Sequence, residues 1–241
     1  MPSRSAPSSL FLTSRIFLPF ALGYYLSYLL RTVNAVISPD LTRELGLTAA
    51  DLGLLTSTYF FAFGLAQIPV GIALDRYGPR RVEAALLLIT AMGGVLFATG
   101  DSLPTLASAR GLIGLGVAAC LMAGLKGFTL WFPRERLASM TGYIMSCGAL
   151  GAVTASAPLE AALPFLGWRG AFWGVAALAT GIAALIFFAM PEKDETSHGG
   201  DLQSALRGVG EVMTAGRFWS FSGQSAFFTG GFMALQGLWA V

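Results

Sequence analysis

The chain reads as a succession of long apolar runs, each about the length a helix needs to cross a bilayer, roughly 20 mostly apolar residues. Six such runs fall at 16–38, 52–74, 82–100, 104–126, 138–162 and 170–190, and a seventh at 218–241. Short polar or Gly- and Pro-bearing links separate them. The pattern predicts an all-α, polytopic membrane protein. The longest link, 191–217, opens with Pro191-Glu192-Lys193-Asp194-Glu195 and runs on through Ser, His and Gly. That composition buries too little apolar surface to pack, so a flexible connector is expected. The organisation is then a six-helix bundle over 1–190, a linker over 191–217 and the start of a second bundle over 218–241. The first run is not read as a cleaved signal, because its apolar stretch continues through Arg31 to Ser38 without a small-residue cleavage site. The seventh run stops at Val241 with no polar flank, and truncation is the expectation.

Composition sharpens this picture. Of 241 residues, 55% are hydrophobic and 12% charged, where soluble domains carry about 25% charge. A globule of this size cannot hide so much apolar surface, so the bilayer is the expected solvent and partner. Fifteen Lys+Arg against 13 Asp+Glu give a net charge of +2, too mild for a nucleic-acid footprint. Cys120 and Cys147 lie in apolar runs and read as small packing residues. The single histidine, His198, lies in the polar linker, leaving almost no material for a zinc site or a His-dependent triad. No metal, cofactor or enzymatic activity is expected. An intramembrane protease would want a His or carboxylate inside a span, whereas Asp51, Glu83 and Glu160 all fall near predicted span ends.

Orientation follows from the placement of Lys and Arg near span ends. With a cytoplasmic N-terminus, the inside segments hold Arg4, Arg15, Arg76, Arg80, Arg81, Arg134, Arg136, Lys193, Arg207 and Arg217, and the outside links hold only Arg43 and Arg169. Inside is therefore the expected side for the N-terminus and for the long link.

Between the second and third runs lies Gly71-Ile-Ala-Leu-Asp75-Arg76-Tyr-Gly78-Pro79-Arg80-Arg81. Gly71 would let a neighbouring helix come close, Asp75 puts a carboxylate at a helix end, and Gly78 permits a tight turn. A carboxylate there can accept from the positive N-terminus of another helix and pair with Arg, latching one side of the bundle.

This loop resembles the signature of the major facilitator superfamily, Gly-x-x-x-Asp-Arg-x-Gly-x-Arg-Arg, with Pro79 where that family often has a basic residue. Arg110-Gly-Leu-Ile-Gly114-Leu-Gly116 looks like the family's fourth-span element. Trp131-Phe132-Pro133-Arg134-Glu135-Arg136 looks like its link into span five, and Gly167-Trp168-Arg169 like its entry to span six. The antiporter signature of span five is poorly matched: Gly148, Gly151 and Pro158 are present without its Gly-Pro and Gly-Gly pairs. The resemblance covers nearly the whole chain but only the first half of the family's usual twelve-span body. It implies one of two pseudo-symmetric six-helix bundles that rock about a central site, in a bacterial inner (plasma) membrane. The Arg-Thr-Val-Asn-Ala-Val run of span one and the Leu-Gln-Gly-Leu-Trp run of span seven are loosely similar to a bacterial branch near lysosomal dipeptide carriers.

Candidate cargo contacts come chiefly from span one. At about 100° per residue, Tyr24, Ser27, Tyr28, Arg31, Asn34 and Ser38 share an arc of about 120°, opposite Leu26, Leu29, Leu30, Val33, Val36 and Ile37. A polar stripe facing lipid is costly, and an embedded arginine costs roughly 2.5–3.5 kcal/mol on insertion scales. The stripe should therefore face protein or a hydrated cavity. Arg31 and Arg110 are embedded cations with no Asp or Glu near mid-membrane and no acidic partner nearby in sequence, so an anionic or zwitterionic solute is the expected counter-ion. Structural pairing of these arginines within the bundle is the alternative. Gln67, which shares a face with Phe60, Phe63 and Gly64, and Gln236, beside the loosening Gly230-Gly231 pair, complete the candidate site. Lys126 reads as a snorkelling residue near the cytoplasmic end, and Gly148, Gly151, Ala152 and Ala155 as a seam for close helix packing. Any proton carrier would lie beyond Val241. The function expected is secondary transport of a small solute by alternating access, with a non-transporting membrane sensor or accessory protein as the alternative.

Overall fold

The computed structural model describes residues 9–191, 208 and 210–238, the side chains of 9, 10 and 228–238 excepted. The polypeptide divides into two compact units, 1–196 and 197–241. In the first, α1 (Ser9–Leu12) leads through a π-helical stretch (Thr13–Phe17) into α2 (Leu18–Leu45), followed by α3 (Ala49–Thr99), α4 (Leu103–Gly116), α5 (Cys120–Trp131), α6 (Arg134–Thr154) and α7 (Ala157–Ala189). The second unit holds α8 (Gly216–Leu238).

The expected crossings are helical, but their limits differ from those read off hydropathy. The second and third runs lie in one 51-residue helix, α3. A straight helix of that length would extend about 75 Å, more than twice the ~30 Å hydrocarbon core. The direction changes at Gly78, whose φ of 75° lies in the left-handed region that suits glycine. The fourth run is broken into α4 and α5 by a turn at 117–119. The fifth, expected to continue to 162, divides after Thr154 because Pro158 lacks the N–H that would close the ladder onto the Thr154 carbonyl. Its remainder continues in α7 up to a second glycine turn, Gly167.

Local signals explain the tighter corners. α2 ends on Gly46 in the left-handed conformation. α3 then begins with a reciprocal cap: the Thr48 N–H donates to Asp51 Oδ2 at 2.8 Å, and the Asp51 N–H donates to Thr48 Oγ1 at 3.3 Å. Packing joins α3 to α4 and α7, and α2 to α6. The core they enclose includes Phe20, Leu26, Leu30, Leu55, Tyr59, Ile113, Phe128 and Phe172. Large apolar side chains such as Phe61, Leu65, Met92, Phe165 and Phe188 remain exposed on the perimeter, where water would penalise them and acyl chains would not. Among the described residues, five helical segments are long and apolar enough to cross a membrane: Thr13–Leu45, Ala49–Thr99, Leu103–Trp131, Arg134–Thr154 and Ala157–Ala189.

One end of the bundle is fastened by Arg169. Its Nη2 lies 2.6 Å from Asp101 Oδ1 and 3.0 Å from Glu44 Oε1, and its guanidinium stacks 4.1 Å from the Trp168 ring centroid. The Trp168 indole N–H donates to Glu44 Oε2 at 2.6 Å. The ends of α2 and α3 are thereby tied to α7 just past its glycine turn.

Candidate functional site

The polar stripe of α2 turns toward α3 and α6, not toward the perimeter. Arg31 is half-buried, with its Cζ 4.8 Å from the centroid of Tyr28, 5.3 Å from Phe63 and 5.8 Å from Phe60. Three rings therefore surround one guanidinium, each contributing a cation–π contact. Its Nε is buried without a hydrogen-bond partner. Arg110, from α4, is fully buried: Nη1 donates to the Leu30 carbonyl at 3.1 Å and its Cζ sits 4.7 Å from the Tyr59 ring. Its Nε and Nη2 are also without partners. Among the described residues neither arginine has a carboxylate partner. Tyr59 is the neighbour both guanidiniums share, and its hydroxyl reaches the Ser27 carbonyl at 3.5 Å.

The other candidates are dispersed around this pair. Asn34 is buried, and its amide donates to Thr56 Oγ1 of α3 at 2.8 Å while its Oδ1 has no partner. Tyr24, also buried, packs edge-on against Tyr28 with ring centroids 5.0 Å apart and points its hydroxyl at Met145 Sδ. Gln67 donates to the carbonyls of Phe63 and Ala118, at 3.2 and 3.5 Å, and so braces α3 against the turn between α4 and α5. Gln236 lies in α8, and its side chain falls outside the described residues. Arg31, Tyr28, Arg110 and Asn34 thus cluster along the α2–α3–α4 contact, whereas Tyr24 faces α6.

The signature loop differs from expectation in its partners. Asp75 is held by Lys126 of α5, with Nζ to Oδ1 at 2.9 Å, and the same ammonium donates to the Leu74 carbonyl at 2.9 Å. Pairing with an arginine was expected, yet the cation comes from a residue read only as an interface anchor. Arg80 donates through Nε to the Phe187 carbonyl at 2.8 Å and lies over the Phe187 ring, capping the end of α7. Arg76 lies over Tyr77, and Arg81 is exposed. A Cβ on Gly71 would meet nothing within 4 Å, so the close approach expected there is not made by the described residues.

Glu83 adds to the sequence reading, which placed it near a span end. In the structure it is wholly buried, facing Gly23 of α2 and Cys120 of α5. The reason is geometric: the turn is at Gly78, so Glu83 stands five residues beyond it, about 7 Å along the helix. The signal was present, because Glu83 interrupts an apolar run that extends from Val82 to Ala98.

Comparison with known proteins places these features in context. Residues 20–241 match the profile described as Major Facilitator Superfamily. The chain is 28% identical over 185 residues to a "Probable sulfoacetate transporter SauU" of Cupriavidus necator, covering 76% of this chain and 43% of that protein. It is 28% identical over 217 residues to a "Hexuronate transporter" of Escherichia coli, covering 83% and 50%, and 27% identical over 173 residues to a "Galacturonate transporter" of Dickeya chrysanthemi, covering 71% and 50%. The chain thus spans about half the length of the curated relatives it matches. In three dimensions it is similar to a bacterial homologue of the human lysosomal transporter Spinster, solved inward-facing and unoccupied, with a TM-score of 0.72 at 22% identity over 92% of this chain and 53% of that one. With the profile matched from the first turn of α2 onward and the helical bundle reproduced, the chain belongs to the major facilitator superfamily and is a multi-pass membrane protein.

Proposed function

We propose that this chain supplies the first bundle of a secondary transporter that moves a small organic anion by alternating access. The observation that carries the reading is Arg31. Its guanidinium is embedded in the bundle, ringed by Tyr28, Phe60 and Phe63, and bears a buried N–H that no protein group accepts. Three rings lie within cation–π distance of the ion, and its Nε–H, which has no protein acceptor, is a donor that suits a planar or tripodal anion. A carboxylate or sulfonate would supply the charge that the bundle withholds. Relatives named for sulfoacetate, hexuronate and galacturonate carry solutes of that class.

In this reading Arg31 binds the anionic group, Tyr28 and Asn34 flank it on α2, and Arg110 contributes a second positive field from behind Tyr59. Asp75, Arg76, Gly78, Arg80 and Arg81, with Lys126, act at the opposite end as a latch whose making and breaking accompanies the change of access. The N-terminus is cytoplasmic in the plasma membrane, 191–217 links two bundles, and α8 opens the second.

The test is solute binding and uptake by purified protein in proteoliposomes, using galacturonate, sulfoacetate and uncharged galactose as probes. The two acids should be taken up and galactose excluded. Arg31→Ala should abolish saturable binding of the acids, and Arg31→Lys should restore only part of it. Equal handling of galactose, or unchanged acid uptake by Arg31→Ala, would refute the reading.

A further inference from the structure

Glu83 is the one carboxylate among the described residues that is fully buried, and neither of its oxygens meets a well-formed hydrogen bond. It sits where α3, α2 and α5 converge. Its Oε1 presses so closely on Gly23 that a Cβ at that position would collide with it. The polar group facing it from α5 is the Cys120 thiol, itself fully buried and only a weak donor. Ionised, such a carboxylate would be desolvated with no compensating charge and only that weak donor.

Charged and titratable groups on the surrounding elements are engaged elsewhere. On α2, Gly23 has no side chain, and the Tyr24 hydroxyl is directed to Met145. On α5, Lys126 is bound to Asp75 and the Leu74 carbonyl. On α4, Arg110 is bound to Leu30 and stacked on Tyr59. On α3 itself, Arg80 reaches the Phe187 carbonyl of α7 and Arg81 is exposed. On α7, Arg169 is committed to Glu44 and Asp101 at the far end.

We propose that Glu83 is a proton-binding site of this bundle, filled while α2 rests on α3 and α5 and emptied when α2 separates from them. One observation makes the site conditional on that contact. The absence of a side chain at Gly23 brings the backbone of α2 onto the carboxyl, and withdrawal of α2 would admit water to Oε1 and remove the reason for holding the proton. The chemistry is a single O–H bond: the proton leaves Glu83 for water on opening and returns from water on closing, with no other reactant. Should the chain act as a transporter, a reading on which only this consequence rests, the site gives the first bundle its own means of tying proton exchange to helix movement. No carrier in a second bundle is then required.

Cys120 reports on the same contact, so alkylation by N-ethylmaleimide in a Cys147→Ser background tests the proposal without any solute. The full chain in detergent is used. In the otherwise wild-type protein the rate should depend on two ionisations, that of the thiol and that of Glu83, and climb about a hundredfold per pH unit. In Glu83→Gln, which keeps the shape of the neutral acid, only the thiol ionises and the climb should be about tenfold per pH unit. Superimposable profiles would overturn the proposal. If Glu83→Gln does not fold, Glu83→Met serves as the proton-free comparison, and infrared spectroscopy of the protein with isotope-labelled glutamate gives an independent reading. A protonated-acid carbonyl band from Glu83 at neutral pH, lost at alkaline pH, supports the site; a carboxylate band at neutral pH refutes it.

Discussion

The Nζ of Lys126 bridges Asp75 and the end of the helical turn that carries it, lying 2.9 Å from Asp75 Oδ1 and 2.9 Å from the Leu74 carbonyl oxygen. One side chain of α5 thereby neutralises the signature carboxylate and satisfies a backbone acceptor of α3 just before the Gly78 turn. Asp75 is 80% exposed and Lys126 22%, so solvent screens the ion pair and its worth is about 0–1 kcal/mol. Lys126→Met should consequently leave the thermal midpoint within a few degrees of wild type, and a double-mutant cycle with Asp75→Asn should give a coupling below about 1 kcal/mol. If the pair acts as a latch, solute uptake rates should change several-fold in either variant although stability does not. A large loss of stability with proportionate loss of uptake would make the contact a structural strut instead.

Arg110 poses the opposite case, a cation with no exposure at all. It makes one hydrogen bond and one ring contact, leaving two guanidinium nitrogens unsatisfied. Removing a buried charge in favour of apolar volume is often neutral or stabilising. Arg110→Met should therefore unfold at or above the wild-type temperature in detergent, within about 1–4 kcal/mol on the stabilising side. Anion binding should fall in the same variant, because the field behind Tyr59 is lost. Tyr59→Phe, which keeps the ring, should preserve both. Marked destabilisation of Arg110→Met would assign Arg110 to holding the helices together.

Asn34 and Thr56 form the side-chain hydrogen bond between α2 and the first part of α3, at 2.8 Å. Such bonds within a membrane protein contribute about 0.6 kcal/mol on average and about 1.7 at most. A cycle of Asn34→Ala and Thr56→Val should give a coupling in that range by reversible unfolding in detergent. Asn34 retains an unpartnered Oδ1, so Asn34→Asp should be the costlier substitution, since it buries a charge where the amide was merely half satisfied.

Long apolar runs made the helical, membrane-spanning character plain in the sequence, and the signature loop made the family plain. Hydropathy did not reveal where helices bend, because bending depends on single residues: Gly78 and Gly167 change the chain's direction inside continuous helix, and Pro158 ends α6 through one missing N–H. The polar arc of α2 was legible from its 100° period; Asn34 is buried and Arg31 half-buried, while Leu26, Leu30, Val33 and Ile37 on the opposite side of the helix are buried as well. Which neighbours meet it was not legible, since Phe60, Phe63 and Thr56 come from another helix at a register the sequence does not state. What faces Glu83 and Lys126 was not legible, for one shared reason. A position near the end of a hydropathy window says nothing about whether a facing helix lies against it, and here Gly23 and Asp75 do.

The small-residue face of α6 offers the sharpest contrast between two glycines of one helix. A Cβ on Gly151 would collide with the carbonyl of Tyr25 in α2, and backbone cannot swing aside as a side chain can. A Cβ on Gly142, on the exposed side, would meet nothing within 4 Å. Gly151→Ala must therefore push α6 off α2 and should cost about 1–3 kcal/mol, as overpacking does. Gly142→Ala relieves only the conformational freedom of the unfolded chain and should stabilise by about 0.5–1 kcal/mol. Thermal unfolding of the two variants in the same detergent should thus shift in opposite directions. Because Gly148 lies on the same face against Tyr24 and Tyr28, Gly151→Ala should also loosen Tyr28 beneath Arg31 and weaken anion binding. Equal shifts for Gly151→Ala and Gly142→Ala would mean that α6 is not seated on α2 in the folded protein.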